Sequence, residues 1–182
     1  MVRLAKKLAL KGRRLRRSEK GAAGVEFALV SVVFFITFLG IIELGMLMVL
    51  NNGLEDGVDR AARLLRTGQT HKQNISEAEF RQRICDQVVL KTSCNSKLIV
   101  DVRSYPDFAS INNPPTPHRD SSGNLTMDNQ YQKGAPRQVL LVRAFYEWSF
   151  FTPLIGQLLS NTGGNSFLLT VATTFRTEPY GK

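Results

Sequence analysis

Two carboxylates stand where a carboxylate is costly. Glu26 and Glu43 are the only charged residues between Ala22 and Leu50, a stretch dominated by Phe, Val, Ile, Leu and small residues. A charge taken out of water must be paired, hydrogen-bonded or held at a boundary. Both are therefore candidates for ionic contacts within the chain or between subunits. The second reactive set is Cys85 and Cys94, nine positions apart and the only thiols in the sequence. Two thiols without zinc-ligand spacing argue against a cysteine-based metal site and leave a disulfide or two small buried hydrophobes. The third set is His71 and His118, the only imidazoles, each in a polar, loop-like context with no neighbouring His or Cys. Nucleophilic catalysis needs a base and an orienting group beside the nucleophile. No such arrangement, phosphate-binding glycine loop or paired-carboxylate signature is evident. The chain thus reads as an interaction module, not an enzyme, and neither a cofactor nor a metal is expected.

The elements that position these residues follow from where the charge lies. The 182-residue chain carries a formal +9. Its first 21 residues hold nine Lys and Arg and one acid, a net +8, which leaves +1 for the remaining 161. The charge is a tail, not a stripe on a folded domain, so nucleic acid is not an expected partner. Basic residues directly before an apolar run are a topology signal that keeps the N-terminus cytoplasmic. Residues 22–50 would span about 43 Å as a helix, enough to cross about 30 Å of hydrocarbon. A cleaved secretory signal competes with this reading. Its apolar region is usually about 7–15 residues and ends at a small-residue site. Here Phe27–Ile42 alone is a charge-free run of 16, and "NNGLEDGVDRAARLLR" follows Leu50 without an A-x-A-like site. A retained anchor fits better, with the C-terminal domain outside the cytoplasm.

The head of this segment has a specific pattern. Lys20-Gly21 is followed by Ala22-Ala23-Gly24-Val25-Glu26-Phe27. A basic leader, a Gly, four small or apolar residues, a Glu and an aromatic resemble a type IV prepilin processing site. With Gly40-Ile41-Ile42-Glu43-Leu44-Gly45 and the helix-forming Leu54–Arg63, residues 20–68 resemble the TadE-like pseudopilins of the tight-adherence (Tad/Flp) pilus system. Thr174–Tyr180 resembles that family's closing strand. The resemblance implies cleavage between Gly21 and Ala22 by a prepilin peptidase. It implies assembly and register roles for Glu26 and Phe27, and partners among other pilins and pseudopilins: a second minor pilin, the major Flp-type pilin and the inner-membrane assembly machinery, with membrane lipid around the helix. The implied location is the bacterial inner membrane, single-pass, with a periplasmic C-terminal domain that either enters a surface pilus or stays behind as an assembly factor. The alternative is an unprocessed signal-anchored envelope protein whose exported domain binds a ligand or partner.

Glu26 then has two readings. At the interface it is tolerated because a carboxylate in the first helical turn gains about 0.3–1 kcal/mol from the helix dipole. In the functional reading, cleavage creates an α-amino group on Ala22 with a reference pKa near 8, one turn away or paired across subunits. Glu43 lies toward the outer interface, either partnered by a helix or making an assembly contact. Gly40 and Gly45 would let another helix approach, although their spacing is not the standard small-xxx-small pattern.

The fold expected is α+β and pilin-like. A basic leader (1–21) precedes a transmembrane helix (22–50), an amphipathic stalk helix (51–68) and an exported domain (69–182). Leu54, Val58, Ala61, Ala62 and Leu65 recur at helical spacing in the stalk. Ser76 and Glu79 form a capping box and Ile75 with Phe80 a hydrophobic staple, starting a helix that runs to about Lys91–Asn95. Outside the cytoplasm Cys85 and Cys94 would be oxidised, tying that helix to the following loop. Lys97–Tyr105, Gln138–Trp148 and Ser166–Thr177 alternate as strands of an antiparallel sheet of three to four strands, covered on one face. Thr152-Pro153 opens a short helix. Residues 106–136, rich in Pro, Asn, Ser and Gly, are expected as a mobile loop.

Overall fold

The computed structural model describes residues 19–89 and 91–180; most of the expected leader lies outside them. Helix α1, Glu19–Arg66, runs through the Asn51-Asn52-Gly53 sequence without a break. It is followed by α2 (Gln69–Lys72), α3 (Glu77–Cys85), α4 (Lys91–Lys97), β1 (Leu98–Tyr105), β2 (His118–Arg119), β3 (Leu125–Thr126), β4 (Val139–Ser149), α5 (Pro153–Leu159) and β5 (Ser166–Arg176). The fold is α+β, and it divides into two compact units, Met1–Ile42 and Glu43–Lys182.

The first unit holds the apolar part of α1. Its Phe, Leu, Ile and Val side chains are mostly exposed, including Phe27, Leu29, Val30, Phe34, Phe35 and Ile41. The two hydroxyls are satisfied within the helix: Ser31 Oγ donates to Ala28 O and Thr37 Oγ1 to Val33 O, both at 2.9 Å. A span in hydrocarbon needs its polar groups satisfied in this internal way. The helix is long and apolar enough to cross a membrane.

In the second unit the remainder of α1 becomes amphipathic. Leu50, Leu54, Val58, Ala61 and Leu65, spaced three or four apart, are buried. They join one core with Phe80, Ile84 and Val88 and with the inner sheet face: Val100 and Val102 of β1, Leu140, Val142 and Ala144 of β4, and Leu169 and Val171 of β5. Burying a Leu or Val side chain fully is worth roughly 1.5–3 kcal/mol, so this stripe dominates the attachment of the stalk to the domain. Gly57 makes the fit possible: a Cβ there would lie 2.7 Å from the carbonyl oxygen of Ile84, so any side chain would push α3 off the stalk.

The sheet is antiparallel in the order β1-β4-β5. Strand β4 is buried on both faces, whereas the sequence alternation predicts one covered face. The second cover is the 106–136 segment. It contains the β2-β3 pairing, its Gln130 and Gln132 bond the backbone of Val102 on the β1 edge, and Met127 is buried. Helix α3 starts as expected: Ser76 Oγ accepts from Glu79 N and the Glu79 side chain accepts from Ser76 N. It ends sooner, at Cys85, and Lys91–Lys97 forms α4 where the polar composition predicts a loop. Cys85 and Cys94 are fully buried and disulfide-bonded, joining the last residue of α3 to α4.

Candidate assembly site

Gly21, Ala22, Glu26 and Phe27 lie in the first turns of α1 and are exposed. Among the described residues Glu26 has no hydrogen-bonding or ionic partner. The Gly21–Ala22 bond, the cleavage site expected from the sequence, lies in helical backbone. Gly40 is buried and Gly45 exposed, and no heavy atom lies within 4 Å of the position a Gly45 Cβ would take.

Glu43 has a different environment. It is 3 % exposed. Its Oε1 accepts hydrogen bonds from the backbone N–H groups of Phe151 and Thr152, at 2.6 and 2.7 Å. These donors immediately precede α5, whose Thr152 provides no side-chain cap. A carboxylate more than a hundred residues upstream thus fixes the entry to α5, and charge-assisted bonds of this kind are roughly twice as strong as neutral ones. Glu43 Oε2 is buried without a partner.

A second latch closes the far end of the stalk. Glu178 N donates to Arg66 O at 2.9 Å, and the Tyr180 ring lies against Gly68, which adopts φ 71°. A Cβ on Gly68 would fall 2.3 Å from that ring, so both the backbone conformation and the space require glycine. Burial raises the Tyr180 phenol above its ordinary pKa. His71 is exposed and its Nε2 bonds Gly134 O at 2.6 Å, while His118 sits exposed on β2, so the two imidazoles occupy separate places. Between the stalk and β5 lies a groove of about 480 Å³, lined by Asp59, Arg63 and Arg66 on one side and by Thr174, Phe175 and Glu178 on the other.

One cluster has no counterpart in the sequence reading. Asp101 is fully buried and faces Arg143 across the β1-β4 register. Its carboxylate accepts from Arg143 Nε at 3.2 Å, Arg103 Nε at 3.0 Å and Gln130 N at 2.9 Å, while Arg143 Nη1 donates to Pro115 O at 2.8 Å. The only sequence signal is an opposite charge in the middle of each of two apolar strands. Nearby, burial works against ionisation of Glu147, yet hydrogen bonds from Arg119 and Ser166 hold its carboxyl below the ordinary range. Both networks fasten the 106–136 segment to the outer sheet face. A buried pair of this kind contributes little net stability, but removing one partner is strongly destabilising.

Comparison with known families touches the helix alone. Residues 21–63 match the family model described as TadE-like protein. The matched segment begins at Gly21 and contains Glu26, Glu43 and the first turns of the buried stalk stripe. No curated protein and no solved structure matches the chain. The match and the exposed apolar helix together fit a membrane-anchored protein related to the Tad pilus.

Proposed function

We propose that this TadE-like chain is a minor pilin or pseudopilin of a Tad/Flp-type pilus, matured by prepilin peptidase cleavage after Gly21, with no catalytic site of its own. The observation that carries the reading is the head of the matched segment: an exposed Glu26, without a partner among the described residues, five residues after Gly21 in an exposed apolar helix. An unpaired carboxylate at the edge of an apolar helix bundle is unfavourable. The α-amino group released at Ala22, or that of a neighbouring subunit, supplies the missing cation. Packing of such helices would cover the exposed Phe and Val side chains and leave the domain, oriented to the periplasm, to meet other pilins and the assembly machinery.

N-terminal sequencing of the protein isolated from cells with an active prepilin peptidase tests this directly. A mature start at Ala22 is expected. An intact Met1 removes the proposal and leaves a signal-anchored envelope protein.

A further inference from the structure

From Trp148 to Phe175 the chain contains no charged residue, a run of 28 in the domain that is not the transmembrane helix. Within that run lies α5, and on it and just before it large apolar residues are exposed: Phe151, two residues ahead of the helix, is 72 % exposed, and Leu154 and Leu158 within it 49 % and 74 %. A water-soluble surface rarely gathers such residues without a partner. The same unit exposes Leu44, Met48 and Val49 on α1, again within a charge-free stretch, Leu44–Leu54. Both stretches start from one point, because the Glu43 carboxylate holds the backbone of Phe151 and Thr152.

The depth of that point follows from chain length. Glu43 is 17 residues after Glu26, about 26 Å along a helix, against about 30 Å of hydrocarbon. With Glu26 at the cytoplasmic boundary, Glu43 sits at the outer one. Helix α5 has seven residues and so extends only about 10 Å. Its backbone starts beside the Glu43 contact and runs no more than about that distance from it. Polar uncharged groups and glycines fill the rest of the local sequence, from Ser160 to Ser166.

We infer that α5 and the residues leading into it are a second membrane contact: a short interfacial segment that buries Phe151, Leu154 and Leu158 in the outer face of the same bilayer that α1 crosses. Interfacial helices enter about 5–10 Å into the headgroup–acyl boundary. The Glu43 bonds set the position of α5 relative to the stalk, so the contact would hold the domain close to the membrane before any assembly step.

The sequence has only Cys85 and Cys94, and they are bonded to each other, so an introduced cysteine is the sole free thiol. The full-length chain would be prepared as Leu158→Cys, Phe34→Cys and Thr170→Cys, labelled with a fluorophore and reconstituted in vesicles of phosphatidylethanolamine and phosphatidylglycerol. Quenching by nitroxides carried on the lipid acyl chains is then read. Phe34→Cys reports insertion of α1, and Thr170→Cys, on exposed sheet surface, reports the aqueous level. The expected result is loss of fluorescence at position 158 approaching that at 34, and none at 170, independent of the protein-to-lipid ratio. Quenching at 34 with none at 158 overturns the inference while leaving the anchor intact. Protection of the 158 label from water that appears only at high protein density also overturns it, by assigning the face to another subunit. Because Leu158 is exposed, the substitution spares the core, and labelling of one thiol per chain verifies that the disulfide has formed.

Discussion

Glu26 and Glu43 are the same residue type on the same helix, within one matched family segment, and the protein treats them in opposite ways. Glu43 is buried and accepts two backbone hydrogen bonds from its own domain; Glu26 is exposed and has no partner among the described residues. A carboxylate with its bonds made inside the chain is a structural element. One without is available to something outside the chain. From sequence Glu26 is the expected assembly and register residue, and Glu43 is left between a helix partner and an assembly contact. The structure commits Glu43 to the entry of α5, and gives Glu26 no such bond among the described residues.

The contrast is broken most severely at Glu43. Glu43→Ala strands two N–H groups, and unsatisfied buried donors cost about 1–3 kcal/mol each. A loss of about 2–5 kcal/mol is expected, read as an earlier unfolding transition of the detergent-solubilised domain. Glu43→Gln keeps an acceptor oxygen for both donors and should retain most of that stability; equal losses in the two variants would assign the effect to charge instead. Next in size is the covalent staple, which lies wholly in the second unit. Replacing both Cys85 and Cys94 by Ser removes a short closed loop worth roughly 2–3 kcal/mol on the chain-entropy model. The domain transition should fall while the helicity of the apolar segment persists, as circular dichroism would report.

A smaller, pH-dependent effect separates bonded from unbonded carboxylates. Hydrogen bonds from the Ser76 backbone and hydroxyl hold the Glu79 carboxyl below its ordinary value. A folded-state value below the unfolded one stabilises above the carboxylate range and is lost as pH falls through the folded value. Unfolding followed from neutral to acid pH should therefore show a decline that Glu79→Gln reduces. The smallest stability effect is expected at Glu26. Glu26→Ala should leave the domain transition unchanged within error, yet fail to enter the assembly when expressed in cells lacking the native chain. Normal incorporation would remove the register role.

Much of the fold was legible because it depends on local chemistry. The capping box at Ser76 and Glu79, the buried stripe from Leu54 to Leu65 and the three long strands follow from spacing within a few residues. The early end of α3 was not legible. Once Cys85 is bonded to Cys94 and Ile84 lies under Gly57, the chain turns to stay in contact with the stalk, and local propensity yields to packing. Cover of the outer sheet face was also hidden. Pro and Asn in residues 106–136 announce an irregular backbone, but not that Pro115 and Gln130 bond a buried Arg143–Asp101 pair. That pair depends on the register of β1 against β4, which is a property of two strands together.

The sequence by itself determined the anchor, the charge asymmetry and the placement of Gly21 and Glu26 at the head of an apolar helix, because these are properties of one continuous segment. Only the tertiary structure decided the fate of Glu43. Its two donors lie 108 and 109 positions away, and no local rule brings them there. The buried stalk stripe and the return of β4 along the core carry Phe151 and Thr152 to the carboxylate. Long-range packing thus turned one of two similar charges into a structural bond and left the other without a partner among the described residues.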